Sequence, residues 1–165
     1  MPKPPRPRSD RPRPQSASRV LHWPIAQLPG LNPQDQAQLD ACGIQTTYQL
    51  LQRTRTAAQR QALATQLQTR TQRVNKWVAL ADLAQLPAVG CDYCGLLLHA
   101  GVSSVAQLAE ISLPRLHQQI LKLQVAMMQR PDLCPGVDQV GEWIAEAQRF
   151  QRSRSPRQML DRTPQ

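Results

Sequence analysis

Aromatic side chains and long apolar runs are both scarce in this chain of 165 residues. Phenylalanine occurs once, tyrosine twice and tryptophan three times, so a core has to be built mainly from Leu, Ala, Val and Ile. No window approaches the roughly 20 apolar residues that a membrane-spanning helix needs. The basic start is not followed by the apolar segment of a secretory signal, so we expect a cytoplasmic protein without a membrane span.

Cysteine is also too rare for a disulfide scaffold, which fits a reducing compartment. The four cysteines are Cys42, Cys91, Cys94 and Cys134. The Cys91-x-x-Cys94 spacing occurs in zinc and redox sites, but no second such pair supplies the other ligands and no βαβ pattern surrounds it. We therefore expect both to be small core or near-surface residues of a helix, and we predict no metal and no cofactor.

Acidic residues are absent between Asp40 and Asp82, where six basic residues occur. These are Arg53, Arg55, Arg60, Arg70, Arg73 and Lys76. From Asp82 to Glu146 the balance reverses, with seven acids against three basic residues. The lack of acids favours a phosphate-binding role for the positive half, although a solvated helix face would have a similar composition. The opposite charges of the two halves would also suit head-to-tail self-association.

The net charge of +9 comes from the two ends of the chain. Residues 1–19 hold six basic residues against Asp10, residues 149–165 hold five against Asp161, and residues 20–148 hold nine of each sign. We expect residues 1–19 to be a disordered Pro/Arg-rich tail and residues 151–165 to be a disordered basic tail. Such arms add sequence-independent affinity for phosphate, but they can equally bind an acidic protein or an anionic membrane surface.

An internal repeat organises the part of the chain between the tails. The aligned pairs include Leu28 with Leu86, Pro29 with Pro87, Leu39 with Leu97, Gly43 with Gly101, Leu50 with Leu108, and Trp77 with Trp143. We infer a duplicated unit of about 60 residues, a length at which repeats stack to share a core. Its first copy spans residues 20–82 and its second copy residues 83–150. The register of Trp77 and Trp143 favours core packing over stacking on nucleic-acid bases.

Signals for helix starts and ends recur at matching positions of the repeat. Asn32-Pro33 followed by Asp35 predicts an N-cap, a proline in the first turn and a favourable acid. Gly43 and Gly101 are predicted left-handed C-caps. Further predicted helix starts are Thr46 or Thr47, Ser103 or Ser104, Ser112, and Asp138. No stretch alternates like a strand, so the predicted fold is all-α.

Each copy contains an approximate Pro-Gly-apolar-Gly hairpin, which we name the first loop (residues 28–32) and the second loop (residues 86–90). A tight hairpin beside a helix N-terminus exposes backbone N–H groups that can bind phosphate. Each loop keeps one glycine, because Asn32 replaces the second glycine of the first loop and Ala88 replaces the first glycine of the second loop. Asn32 can preserve the turn if it adopts a positive φ. Asp92 is unfavourable for phosphate, so the first loop is the better candidate.

Residues 24–148, and most clearly 74–148, resemble an uncharacterised helix-hairpin-helix family that is common in cyanobacteria and is classed as a domain of unknown function. The resemblance is carried by Leu83, Leu86, Pro87, Val89, Gly90, Leu97, Ala100, Gly101, Val102, Val105, Leu108, Leu116, Leu123, and Val140 to Ala145. It implies two tandem helix-hairpin-helix units and a relation to the hairpin domains of DNA repair and topology proteins. It implies no known reaction.

Two functions remain open at this point. The first is a non-catalytic protein that binds DNA or RNA through the phosphate backbone, independently of sequence, with contacts from the first loop, a basic helix between residues 53 and 76, and the tails. Its predicted site residues are Gly30, Leu31, Asn32, Arg53, Arg55, Arg60, Arg70, Arg73, Lys76, Val89 and Gly90. The second is a helical protein-interaction or scaffold module in which the loops only join helices. No P-loop, paired-carboxylate motif or nucleophile elbow occurs, and the three histidines lack partner spacing, so we predict no enzyme and no small-molecule substrate.

Overall fold

A computed structural model of the chain describes residues 22–128 and 135–154. In these ranges a 3-10 turn at Ile25–Gln27 is followed by eight α-helices. They are α1 (Pro33–Ala41), α2 (Thr47–Arg53), α3 (Ala57–Gln66), α4 (Thr71–Ala84), α5 (Gly90–His99), α6 (Val105–Glu110), α7 (Leu113–Met128) and α8 (Val137–Arg154). The all-α prediction is confirmed, and one isolated bridge between Pro24 and Thr46 is the only β contact of the described residues. The predicted tail at 1–19 and Cys134 lie outside those residues.

Helices at matching positions of the repeat have matching neighbours. Helix α4 packs against α2 and α3, and helix α8 packs against α6 and α7. The halves are joined by α5, which contacts α4 on one side and α7 on the other. The order of elements in residues 33–84 therefore recurs in residues 90–154.

The core includes the apolar positions that the sequence alignment pairs. Trp77 and Trp143 are 1% and 0% exposed, so both are core residues and neither can stack on a nucleic-acid base. The aligned leucines are likewise buried: Leu39 with Leu97, and Leu50 with Leu108. Burying a leucine stabilises the fold by roughly 1.5–3 kcal/mol, so these repeated positions supply much of its stability.

Side-chain caps begin the helices that follow each C-terminal glycine. The Thr46 hydroxyl accepts the N–H of Gln49 at 3.2 Å, and the Ser104 hydroxyl accepts the N–H of Gln107 at 3.1 Å. Gly43 and Gly101, which end the preceding helices, have φ values of 77° and 94°. Both predicted C-caps are confirmed, because only glycine adopts this left-handed conformation at little cost.

The two loops use their single glycines at different positions. In the first loop Gly30 has a φ of 79°, and in the second loop Gly90 has a φ of 55°. Each loop therefore keeps the glycine that its own backbone requires. Asn32 does not adopt the positive φ that would preserve the turn, since its φ is −83°. It is the N-cap of α1, as the Asn32-Pro33 pattern with Asp35 predicted.

Three further expectations need correction. The second tail is predicted to begin at residue 151, but α8 continues to Arg154. The same helix starts at Val137, so the predicted start residue Asp138 lies inside its first turn. The basic run between residues 53 and 76 does not form one helix, because it crosses the end of α2, all of α3 and the start of α4. None of the described helices has the length and apolar character required to cross a membrane.

Candidate nucleic-acid interface

The first loop exposes unused backbone donors. Within the described residues, the N–H groups of Gly30 and Leu31 have no hydrogen-bond acceptor. Gly30 is exposed and Leu31 is half-buried. A phosphate oxygen can accept hydrogen bonds from two adjacent free N–H groups beside a helix N-terminus.

The start of α1 is fixed by a reciprocal cap. The Asn32 side chain accepts the N–H of Asp35 at 2.7 Å, and the Asp35 carboxylate accepts the N–H of Asn32 at 3.5 Å. Asp35 is only 4% exposed and also forms an ion pair with Arg73. This is the sole ion pair within the described ranges, and it holds α4 against the start of α1.

Lys76 of α4 lies beside the first loop. The ammonium nitrogen of Lys76 is 3.9 Å from the position that a Cβ would take at Gly30. Lys76 also lines a shallow groove of about 660 Å³ together with Arg70 and Arg73. Arg73 is the least available of these cations, since its guanidinium pairs with Asp35 and lies 5.6 Å from the centre of the Trp77 ring.

The second loop has no comparable free donors. The N–H of Ala88, at the position that aligns with Gly30, donates to the Glu146 carboxylate at 2.9 Å. The N–H groups of Val89 and Gly90 donate to the carbonyl of Leu86 at 3.0 and 2.8 Å. The Ala88 carbonyl accepts the indole N–H of Trp143 at 3.1 Å. A carboxylate of the protein itself therefore binds where a phosphate would be expected.

A tryptophan covers the glycine of the second loop. A Cβ placed at Gly90 would lie 3.2 Å from Cζ2 of Trp23, and the indole N–H of Trp23 donates to the Ala84 carbonyl at 2.8 Å. Gly90 and Val89 are buried. These two predicted site residues are therefore separated from solvent and from the basic groove of α4.

Comparison with known protein families adds one match that spans most of the chain. Residues 29–150 match a family model described as a domain of unknown function, DUF4332. This chain belongs to the DUF4332 family. The resemblance to a domain of unknown function is thus confirmed, and the match covers the second loop and residues 29–32 of the first loop of this DUF4332 protein. No curated protein and no solved structure matches the chain.

Within the DUF4332 region, the aligned segments of α4 and α8 differ in charge. Lys76 of α4 corresponds to Glu142 of α8, and Leu80 corresponds to Glu146. Both acids could be seen in the aligned segments VNKWVALA and VGEWIAEA. The contact that Glu146 makes could not be seen in these segments, because only the folded chain shows that Glu146 reaches the backbone of the second loop.

The remaining predicted arginines of the DUF4332 chain lie away from the first loop. The Arg53 guanidinium is near Gly43, with one nitrogen 3.7 Å from the position of a Cβ there. Arg55 is hydrogen-bonded to the Gln52 side chain, and Arg60 donates to the Thr54 carbonyl at 3.0 Å. Arg55 and Arg60 line a separate cleft of about 1120 Å³. The basic run thus contributes to two sites.

The Cys-x-x-Cys pair lies on α5. Burial, with the neighbouring Cys91, raises the pKa of Cys94 to about 12. Burial and the charge of Asp92 also raise the pKa of Cys91. A thiol that resists deprotonation is a poor nucleophile and a poor metal ligand. Among the described residues, no three His, Cys, Asp or Glu side chains converge in a way that could hold a metal ion.

Proposed function

We propose that residues 22–154 form two tandem helix-hairpin-helix units that have diverged in use. The matching neighbours of α4 and α8, the aligned caps and the aligned core tryptophans support a duplication. Helix α4, the last helix of the first unit, precedes the second loop, and α5 follows it. In the first unit α1 follows the first loop, and a single 3-10 turn, Ile25–Gln27, precedes it.

The proposed function is non-catalytic binding of nucleic acid through its phosphate backbone. The observation that carries the proposal is the pair of free N–H groups at Gly30 and Leu31 beside the ammonium group of Lys76. Fixed N–H donors orient a phosphate, and a nearby cation adds charge attraction. Contacts of this kind carry no base information, so binding is expected to be independent of sequence.

The predicted site residues take different parts in this proposal. Gly30, Leu31 and the capping residue Asn32 present the loop, and Lys76 and Arg70 supply free positive charge. Arg73 contributes less because Asp35 neutralises it.

The other predicted site residues do not contact phosphate at the first loop in this proposal. Val89 and Gly90 have no part in the site, since their N–H groups are already bonded within the second loop. Arg53 is exposed and can attract phosphate only at a distance from the loop. The basic residues at 1–19 and 155–165 lie outside the described residues, and we propose only that they add charge.

The decisive experiment compares Lys76→Ala with Lys122→Ala in the full chain. Both lysines are exposed and both changes remove one positive charge, but Lys122 lies on α7. Binding of a mixed-sequence duplex is followed by fluorescence anisotropy at several salt concentrations. Lys76→Ala is expected to weaken binding for every sequence and to reduce the slope of log K against log salt by about 1. Equal effects of the two changes would show that only net charge matters and would refute the loop site.

A helical protein-interaction module remains a second candidate because apolar side chains of α7 are exposed. Leu121 and Val125 are 38% and 51% exposed and lie four residues apart, so they share a face of the helix. A pull-down with and without nuclease separates the candidates. A partner that survives nuclease and is lost in Val125→Asp would favour this module, whereas a nuclease-sensitive partner that is lost in Lys76→Ala would favour nucleic-acid binding.

A further inference from the structure

The larger cleft lies between the first half of the chain and the end of α8. Its floor is one face of α4, formed by Asn75, Val78, Ala79 and Asp82. Its walls come from α2, α3 and the connection between them, from the Ser103–Ser104 segment, and from the C-terminal turn of α8. With a volume of about 1120 Å³, it is larger than most small-molecule pockets, which suits a segment of a polymer.

Two exposed rings stand at one wall of this cleft. Tyr48 is 47% exposed, although most large apolar side chains of the described chain are buried. The centre of its ring is 4.6 Å from that of His22, with an angle of 65° between the planes. The edge contact with His22 holds the Tyr48 ring while leaving aromatic surface open to the cleft.

The cleft also carries uncompensated positive charge. Arg55, Arg60 and Arg154 line it, and none of them has a carboxylate within ion-pair distance in the described part of the chain. The one acid in the lining, Asp82, is already bonded: its carboxylate accepts the N–H of Val105 at 2.8 Å and the Gln85 amide at 2.9 Å. A ligand of this cleft is therefore expected to be anionic.

We propose that this cleft binds an unpaired segment of nucleic acid, with a base stacked on Tyr48 and the adjoining phosphates near Arg55, Arg60 and Arg154. The inference rests on the proposed function and gives it a second, separate site. Stacking on a ring requires a base that is free of its partner strand, because in a duplex the flat faces of the bases are covered by their neighbours. An acidic peptide would satisfy the arginines but would give the Tyr48–His22 pair no role.

The test uses the full chain and labelled oligonucleotides of one mixed sequence: a single-stranded DNA, the matching single-stranded RNA, the duplex, and a single strand without bases. Tyr48→Ala is expected to weaken binding of the single strands by about fivefold or more, because base–aromatic stacking contributes on that scale. Binding of the duplex and of the base-free strand should change by less than about twofold. Tyr48→Phe, which keeps the ring, should bind the single strands about as tightly as the wild type does. The preferred nucleic acid is whichever of the DNA and RNA strands the wild-type protein binds more tightly.

Controls separate this site from others. Val125→Ala removes a similarly exposed apolar side chain from α7 and should leave all four affinities unchanged. The inference would be overturned if Tyr48→Ala left the affinity for single strands unchanged, or if it lowered the affinities for duplex and single strand equally. Either result would leave the proposed Lys76 site unaffected. Loss confined to single strands, together with no effect of Lys76→Ala on the duplex, would uphold the cleft and reject the first-loop site. Tighter binding of poly-glutamate than of any single strand, with no dependence on Tyr48, would assign the cleft to an acidic protein instead.

Discussion

The carboxylate of Glu146 accepts the backbone N–H of Ala88 at 2.9 Å. This bond crosses from α8 to the second loop and uses the donor that aligns with the free N–H of Gly30 in the first loop. The aligned donors of the two loops thus have different partners. The second loop has its donor satisfied from within the protein, and the first loop leaves its donor exposed to solvent.

Removing the Glu146 carboxylate should therefore destabilise the fold. Glu146→Ala leaves the partly buried N–H of Ala88 without its acceptor, which costs roughly 1–3 kcal/mol of unfolding free energy. Glu146→Gln keeps an acceptor oxygen and should cost less. Urea unfolding followed by circular dichroism measures both.

Glu142→Ala is the matched control for this prediction. Glu142 is an exposed acid of the same helix, so its loss should change the free energy of unfolding by no more than about 0.5 kcal/mol. Equal stabilities of the Glu146 and Glu142 variants would contradict the structural role assigned to Glu146.

Much of this fold could be predicted because it depends on local and repeated patterns. The aligned leucines and tryptophans mark positions that must be buried in both copies, and Thr46 and Ser104 mark helix starts through short-range caps. Helix α3 was missed as a separate element. Only Leu63 and Ala64 of its ten residues are buried, which is too little apolar surface to give a helical period.

The two loop glycines should differ in their tolerance of alanine. Gly30→Ala places a Cβ at an ordinary contact distance of 3.9 Å from the Lys76 ammonium nitrogen, so its cost is that of the left-handed backbone alone, about 1–2 kcal/mol. Gly90→Ala adds a clash, because the new Cβ would lie 3.2 Å from Trp23, and it should cost distinctly more. Thermal or urea unfolding of the two variants gives the comparison.

A double-mutant cycle identifies the source of the larger loss. In a Trp23→Ala background the clash is gone, so Gly90→Ala should cost about as much as Gly30→Ala does in the wild type. If the changes in the free energy of unfolding caused by Trp23→Ala and Gly90→Ala were additive, the Trp23 ring would not be what opposes a side chain at position 90.

The candidate site could be predicted only in part, since its geometry depends on contacts distant in sequence. The sequence indicated Gly30 and Lys76 separately, and folding brings Lys76 next to the loop. The same basic run supplies Arg55 and Arg60 to the larger cleft, since the turns around α3 divide it. Tyr48 and Arg154 gave no signal, because they reach this cleft from opposite halves of the chain.

The ion pair between Asp35 and Arg73 should lower affinity for phosphate while it supports the fold. Asp35→Asn keeps a side-chain oxygen for the cap of α1 but removes the negative charge that neutralises the Arg73 guanidinium, whose side chain is 43% exposed and can be solvated. The free energy of unfolding should fall by no more than about 1 kcal/mol. Duplex binding measured by anisotropy at low salt should become tighter.

Asp40→Asn is the charge-matched control, since Asp40 is exposed and its carboxylate bonds only to the Gln45 amide among the described residues. If affinity simply follows net charge, both changes will tighten binding equally. That result would argue against a specific part for Arg73 beside the first loop.

Alkaline conditions should destabilise the protein through Cys94. Burial raises the pKa of this thiol from its ordinary value of 9.0 to about 12, so the folded chain retains a proton that the unfolded chain releases. The contribution is fully present below pH 9.0 and is lost as the pH rises toward 12, because the unfolded state then binds fewer protons. Urea unfolding at a series of pH values across this window should show falling stability. Cys94→Ala should flatten the fall and Cys42→Ala should not, whereas equally steep loss in wild type and Cys94→Ala would assign the alkaline sensitivity to other groups.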